Sequence, residues 1–73
     1  MAAAAKYKYN GTKQARRVLP GEQIRFSYKG MEIKDVVESV IILPNERLIL
    51  SMVSGFRVPA AWSERFDSWY LEA

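Results

Sequence analysis

Between Glu38 and Val53 the chain reads ESVIIL, then PNER, then LILSMV. Two apolar, β-branched runs on either side of a short polar segment leave few folds open. Proline presets φ and asparagine bonds its own backbone, so Pro44-Asn45-Glu46-Arg47 is expected to form a tight turn. Pairing Leu43 with Leu48 then sets Ile41 opposite Leu50 and Ser39 opposite Met52 on one face. Ile42 faces Ile49 and Val40 faces Ser51 on the other. Both faces are apolar, which predicts a hairpin at the centre of a sheet, covered on each side. Left bare, such a hairpin would template aggregation. A helix over residues 31–43 competes, because Ile33, Val36, Val37, Val40 and Ile41 fit helical spacing. The density of β-branched residues, with Pro44 directly after them, favours strand.

Seventy-three residues make one domain. The alanine-rich lead, residues 1–5, offers nothing to pack and is expected to fray, leaving residues 6–73 as one small β-rich unit. A chain this short buries only about 60% of the surface that its unfolded state exposes. It contains neither cysteine nor histidine, which excludes disulfides, thiolate chemistry and the usual Cys/His zinc sites. No apolar run approaches the roughly 20 residues that span a bilayer, and the start lacks the apolar stretch of a secretory signal. The expected setting is the cytoplasm, away from membranes.

Taken in order, Lys6-Tyr7-Lys8-Tyr9 alternates charge and aromatic up to Asn10-Gly11, the dipeptide of two-residue hairpin turns, so a small edge hairpin or a flexible arm is expected there. Ala15–Leu19 reads as a short strand ending at Pro20-Gly21, which fits the centre of a type II turn. Glu22–Lys29 alternates cleanly, with Ile24, Phe26 and Tyr28 on one face and Gln23, Arg25, Ser27 and Lys29 on the other. Lys29-Gly30 turns the chain into Met31–Val37, with Met31 and Ile33 facing in. The alternation breaks at Asp35-Val36-Val37, where a β-bulge would bend the strand into the hairpin. Ser54-Gly55 turns again, and Phe56–Val58 reads as a further short strand.

Beyond Pro59, the residues Trp62, Phe66, Trp69 and Tyr70 recur at i, i+4, i+7 and i+8. That spacing marks one face of a C-terminal helix capping the sheet, with proline at its first position. A turn followed by a strand over Phe66–Leu71 is the alternative. The whole is a mainly β chain: an antiparallel meander of about five strands, curled into a small SH3-like or OB-like barrel or left as an open sheet, with a short C-terminal helix.

Catalytic chemistry finds little purchase. A serine nucleophile lacks its histidine base, and no Ser-x-x-Lys spacing occurs. The carboxylates Asp35 with Glu38, and Glu64 with Asp67, read as solvated surface charge. No glycine-rich phosphate loop and no clustered Asp-x-Asp pattern is present. The expectation is a non-enzyme without cofactor or metal.

Charge is unevenly spread. Residues 1–30 carry seven basic side chains against the single acid Glu22, whereas residues 31–73 carry four basic and seven acidic ones. The asymmetry predicts either an anion-facing side or a basic first half lying against an acidic second half. Lys6, Tyr7, Lys8, Tyr9, Lys13, Arg16 and Arg17 lie within twelve residues. With Arg25, Tyr28 and Lys29 they would offer cations to phosphates and flat rings to bases. This makes nucleic acid, or a similar anionic surface, the expected partner. The alternative is a protein–protein module, an adaptor, accessory subunit or small inhibitor of a larger enzyme, that uses a sheet edge and anchors at Trp62 and Trp69, or that forms a homodimer.

Overall fold

The structure, a computed structural model, describes residues 6–72. The lead expected to fray, residues 1–5, lies outside them. Six strands and one 3-10 turn follow in the order β1 (Tyr7–Gln14), η1 (Ala15–Arg17), β2 (Gln23–Tyr28), β3 (Met31–Leu43), β4 (Arg47–Met52), β5 (Arg57–Ala61) and β6 (Arg65–Leu71). They form one open antiparallel sheet ordered β1-β6-β2-β3-β4-β5. The mainly β expectation holds, and β2 to β5 do form a meander. The ends do not, because β6 inserts between β1 and β2. No helix among the described residues is long and apolar enough to cross a membrane.

The C-terminal helix is absent. Arg65–Leu71 is a strand whose Phe66 and Ser68 are buried, while Arg65 on the other face is exposed and Asp67 and Trp69 are half-buried. Phe66, Asp67, Ser68 and Trp69 alternate with period two. The i, i+4 recurrence of aromatics is a by-product of three large rings falling on two faces of a strand. The backbone of β6 is claimed by β1 along its whole length, from Tyr7 opposite Leu71 to Gln14 opposite Arg65. Pro59 starts no helix; it lies within β5 at the sheet edge, where its missing N–H costs no ladder bond.

The N-terminal expectations also change. Asn10-Gly11 makes no hairpin. β1 runs through it, and the register shifts between Tyr9 and Gly11, leaving Asn10 as the extra residue of a bulge beside Gly11 at φ 79°. Ala15–Leu19 is not a strand either. Ala15 is fully buried, its N–H donates to the Glu64 carbonyl at 2.7 Å, and Val18 N–H closes back on the Ala15 carbonyl. Pro20-Gly21 turns as expected: Glu22 N–H reaches the Leu19 carbonyl at 3.1 Å, with Gly21 at φ 94°.

The central hairpin forms in a register one residue from that expected. Leu43 pairs with Arg47, Ile42 with Leu48, Ile41 with Ile49 and Val40 with Leu50. The loop is three residues, Pro44 to Glu46, because both Asn45 (φ 62°) and Glu46 (φ 57°) take left-handed conformations. A one-residue slip exchanges the faces. Leu48, Leu50 and Met52 enter the core, and the opposite face is uncovered, so the hairpin is buried on one side only. Glu38 is the extra residue of a second bulge, between Val37 and Ser39, directly after the expected break in alternation. β3 thereby serves both β2 and β4. Met31, expected inside, is 67% exposed at the β2–β3 turn, and Ile33 does pack on the core.

The core gathers Ala15 and Val18, Ile24 and Phe26, Val37, the β4 residues Leu48, Leu50 and Met52, Ala60 and Phe66. Every strand except β1 contributes, and η1 closes the gap beside β4 and β5.

Candidate nucleic-acid interface

Folding divides the basic residues into two groups. Lys13 Nζ meets the Glu22 carboxylate at 2.9 Å, and Lys8 Nζ meets Glu72 at 3.4 Å. Arg25 pairs with Asp67 through Nη2 and lies 3.9 Å from Glu32. Three of these contacts join the basic first half to the acidic second half, so part of the charge asymmetry is internal complementarity.

Arg16 and Arg17 are different. η1 holds both exposed, and neither makes an ion pair among the described residues. The same holds for Arg47 at the start of β4 and Arg65 at the start of β6. Backbone hydrogen bonds tie these starting points into one corner: Arg16 N–H to the Trp62 carbonyl (3.2 Å), Trp62 N–H to the Glu46 carbonyl (2.9 Å), and Ala15 N–H to the Glu64 carbonyl. Side chains extend the link. Arg16 Nε donates to Gln14 Oε1 at 3.0 Å, which fixes the guanidinium and leaves its terminal N–H groups unused by that bond. Gln14 is opposite Arg65 in the ladder, and Arg65 donates to Thr12 Oγ1 at 3.3 Å.

A cleft of about 360 Å³ opens at this corner, lined by Gln14, Arg16, Asn45, Arg47 and Trp62 together with Glu46. Amide, hydroxyl and guanidinium donors dominate its walls, and Glu46 is the only carboxylate among them. Trp62 packs against the core, and its Nε1 is buried without an acceptor among the described residues.

The remaining candidates lie elsewhere. Tyr9, Asp67 and Arg25 form a network on the outward face of β1, β6 and β2: the Tyr9 hydroxyl donates to Asp67 Oδ1 at 2.6 Å, and Arg25 donates to Asp67 Oδ2. The bond from Tyr9 holds the Asp67 carboxyl below its usual range, with Arg25 adding to the effect. Donating to that carboxylate, and secondarily burial, pushes the Tyr9 phenol above its usual value. Trp69 stands beside Tyr9 with ring centroids 5.4 Å apart, and Lys34 Nζ lies 4.2 Å over its ring. Tyr7 bonds the Gly21 carbonyl. Tyr28 meets Phe56 edge-on, with Lys29 Nζ 5.5 Å from its ring. Lys6 is exposed just before β1.

The carboxylates are dispersed. Asp35 accepts from Val36 N–H and Ser54 Oγ, Glu38 lies at the bulge, and Glu64 lies in the β5–β6 turn. No group of three or more residues able to hold a metal ion occurs among the described residues.

Sequence reasoning missed Arg47 and Arg65. Each lies in a net acidic half and shows no local enrichment; only the convergence of three turns brings them to Arg16 and Arg17. Compared with known proteins, the chain matches no family model, no curated protein and no solved structure.

Proposed function

We propose that this chain is a small non-enzymatic binding module of the cytoplasm, whose arginine corner docks on nucleic acid or a similar anionic polymer. One observation supports the reading above all: of the five arginines without an ion-pair partner among the described residues, all but Arg57 converge around the β5–β6 turn, whereas Lys8, Lys13 and Arg25 are neutralised within the chain. Arginine forks bind phosphate oxygens in pairs, and each phosphate neutralised releases counterions. Arg16, Arg17, Arg47 and Arg65 would contact phosphates, while Tyr9, at 59% exposure, and Tyr28, at 46%, are available for stacking. A protein partner anchored by Trp62 and Trp69 has less in its favour, since Lys34 and Tyr9 lie against Trp69 and Trp62 packs on the core.

Titration with single-stranded oligonucleotides across salt concentrations tests the proposal. Four phosphate contacts give a log–log salt slope of about −3 at roughly 0.7 per contact. Arg16→Glu/Arg17→Glu is expected to flatten that slope by about 1.4 and weaken binding at least tenfold. Equal binding by wild type and variant would refute it, as would binding insensitive to salt.

A further inference from the structure

The outward face of β3, β4 and β5 presents three cross-strand rows: Leu43–Arg47–Ala61, Ile41–Ile49–Pro59 and Ser39–Ser51–Arg57. The alternate rows, Val40–Leu50–Val58 and Ile42–Leu48–Ala60, lie on the core face, although Ile42, at the hairpin end, extends past the core and is 64% exposed. All six strands belong to one sheet, so no second layer of strands covers the outward rows. Ile41 is 39% exposed, Ile49 between it and Pro59 is half-buried, and Pro59, Arg47 and Arg57 are exposed. The middle row is apolar on all three strands, and the row beside it is apolar at Leu43 and Ala61.

Three features say what this face takes. First, β5 is the sheet edge and holds Pro59, which has no N–H to offer an added strand. The surface therefore receives a partner laid across it. Second, the apolar row crosses three strands at ~4.8 Å spacing and is about 10 Å long, the length of roughly two turns of an α-helix lying across the strands. Third, the nine outward positions carry two arginines, Arg47 and Arg57, and no acid. These arginines occupy the rows on either side of the Ile41–Ile49–Pro59 row. A second copy of this chain would set like charges against each other across the interface.

We infer that the outward face of β3–β4–β5 docks an acidic amphipathic helix of a partner protein, its apolar stripe on Ile41, Ile49 and Pro59 and its flanking Asp or Glu on Arg47 and Arg57. The surface is separate from the Arg16/Arg17 side of the corner and shares only Arg47 and Ala61 with it.

Three synthetic 18-residue helical peptides test this by amide-resolved NMR titration of the whole chain: a leucine stripe flanked by glutamates, the same stripe flanked by lysines, and glutamates flanking a serine stripe. The glutamate–leucine peptide is expected to shift the amides of Ile41, Ile49 and Ala60 and to bind at least tenfold more tightly than the other two. Ile49→Ser should weaken it at least tenfold while the variant still folds and melts cooperatively, because the half-buried side chain points away from the core. Arg47→Glu/Arg57→Glu should reverse the preference to the lysine peptide, an outcome that a merely unfolded variant cannot give. Arg16→Glu/Arg17→Glu should leave peptide binding unchanged, which separates this surface from the anion-binding reading. Equal binding of the glutamate and lysine peptides, shifts confined to other faces, or no binding would overturn the inference. So would a concentration-dependent dimer of the free chain that Ile49→Ser abolishes.

Discussion

Glu22 is the only acid among the first thirty residues, and it is buried. Its Oε1 accepts from Lys13 Nζ at 2.9 Å and from Leu19 N–H at 2.7 Å; its Oε2 accepts from Lys13 at 3.0 Å and from Asn10 Nδ2 at 3.4 Å. One carboxylate thus ties the β1 bulge, the strand behind it and the turn into β2. Glu22→Gln keeps a neutral acceptor and loses the charge, which should cost about 2 kcal/mol, the usual range for a hydrogen bond to a charged group. Glu22→Ala strands both Lys13 and Leu19 N–H. Breaking a fully buried pair costs about 3–5 kcal/mol, and the Lys13 side chain, at 21% exposure, recovers some of that by turning to water. About 3 kcal/mol is expected, a large share of the ~4–11 kcal/mol that stabilises a chain of this length. At about 4–8 °C per kcal/mol, the melting midpoint should fall by roughly 12–24 °C.

Urea unfolding followed by tryptophan fluorescence measures these differences, and a double-mutant cycle with Lys13→Met isolates the pair. A coupling of roughly 1–2 kcal/mol is expected. Because Lys13 is committed to Glu22, Lys13→Met should leave the oligonucleotide salt slope unchanged. A loss below about 1 kcal/mol for Glu22→Ala, or no coupling, would mean that the pair is ornamental and that Lys13 is available to a ligand.

Glu46 lies at φ 57°, where a non-glycine side chain costs about 1 kcal/mol, so Glu46→Gly should stabilise the hairpin slightly; it also removes the carboxylate from the arginine cleft and should tighten oligonucleotide binding severalfold in the same titration. Leu50→Ala, at a fully buried site, should lose about 2–4 kcal/mol, whereas Ile41→Ala on the outward face should lose under about 1, and similar urea midpoints for the two would contradict the register. The Tyr9–Asp67 network stabilises over a defined pH window. The lowered folded value of Asp67 makes its contribution complete above about pH 4 and lost as pH falls through that lowered value. The raised folded value of Tyr9 makes its contribution complete below about pH 10 and lost as pH rises through that raised value. Melting midpoints of wild type and Asp67→Asn should therefore differ most at neutral pH and converge at both extremes; a constant difference would exclude the network.

The sequence made β2 legible because one of its faces is buried and the other is wet, so Ile24 and Phe26 alternate with Gln23 and Arg25. It made the apolar hairpin legible but not its register, since the Ile42–Leu48 pairing needs left-handed conformations at both Asn45 and Glu46, which neither residue type announces. β6 is ambiguous in the sequence, where strand stands only as the alternative to helix, because Trp62, Phe66, Trp69 and Tyr70 satisfy a helical spacing as well as an extended one. What decided between them was β1, fifty-seven residues away across the Gly11–Ser68 pair. The candidate site was half legible. Arg16 and Arg17 stood out as neighbours, while Arg47, Arg65 and the ion pairs that remove Lys13 and Arg25 are products of non-local folding.

β1 and β6 lie antiparallel, and beyond them Glu72 N–H donates to the Lys6 carbonyl at 2.8 Å. Any tether joined at Lys6 or at Glu72 therefore departs from one spot, and the eight residues of β1 set that spot about 25 Å from the arginine corner at ~3.3 Å per residue. A fluorophore, a surface linkage or a fused domain placed there stays clear of the arginines. Two copies tethered at this spot would carry their corners outward, some 50 Å apart if laid end to end, roughly fifteen base pairs of duplex at ~3.4 Å each.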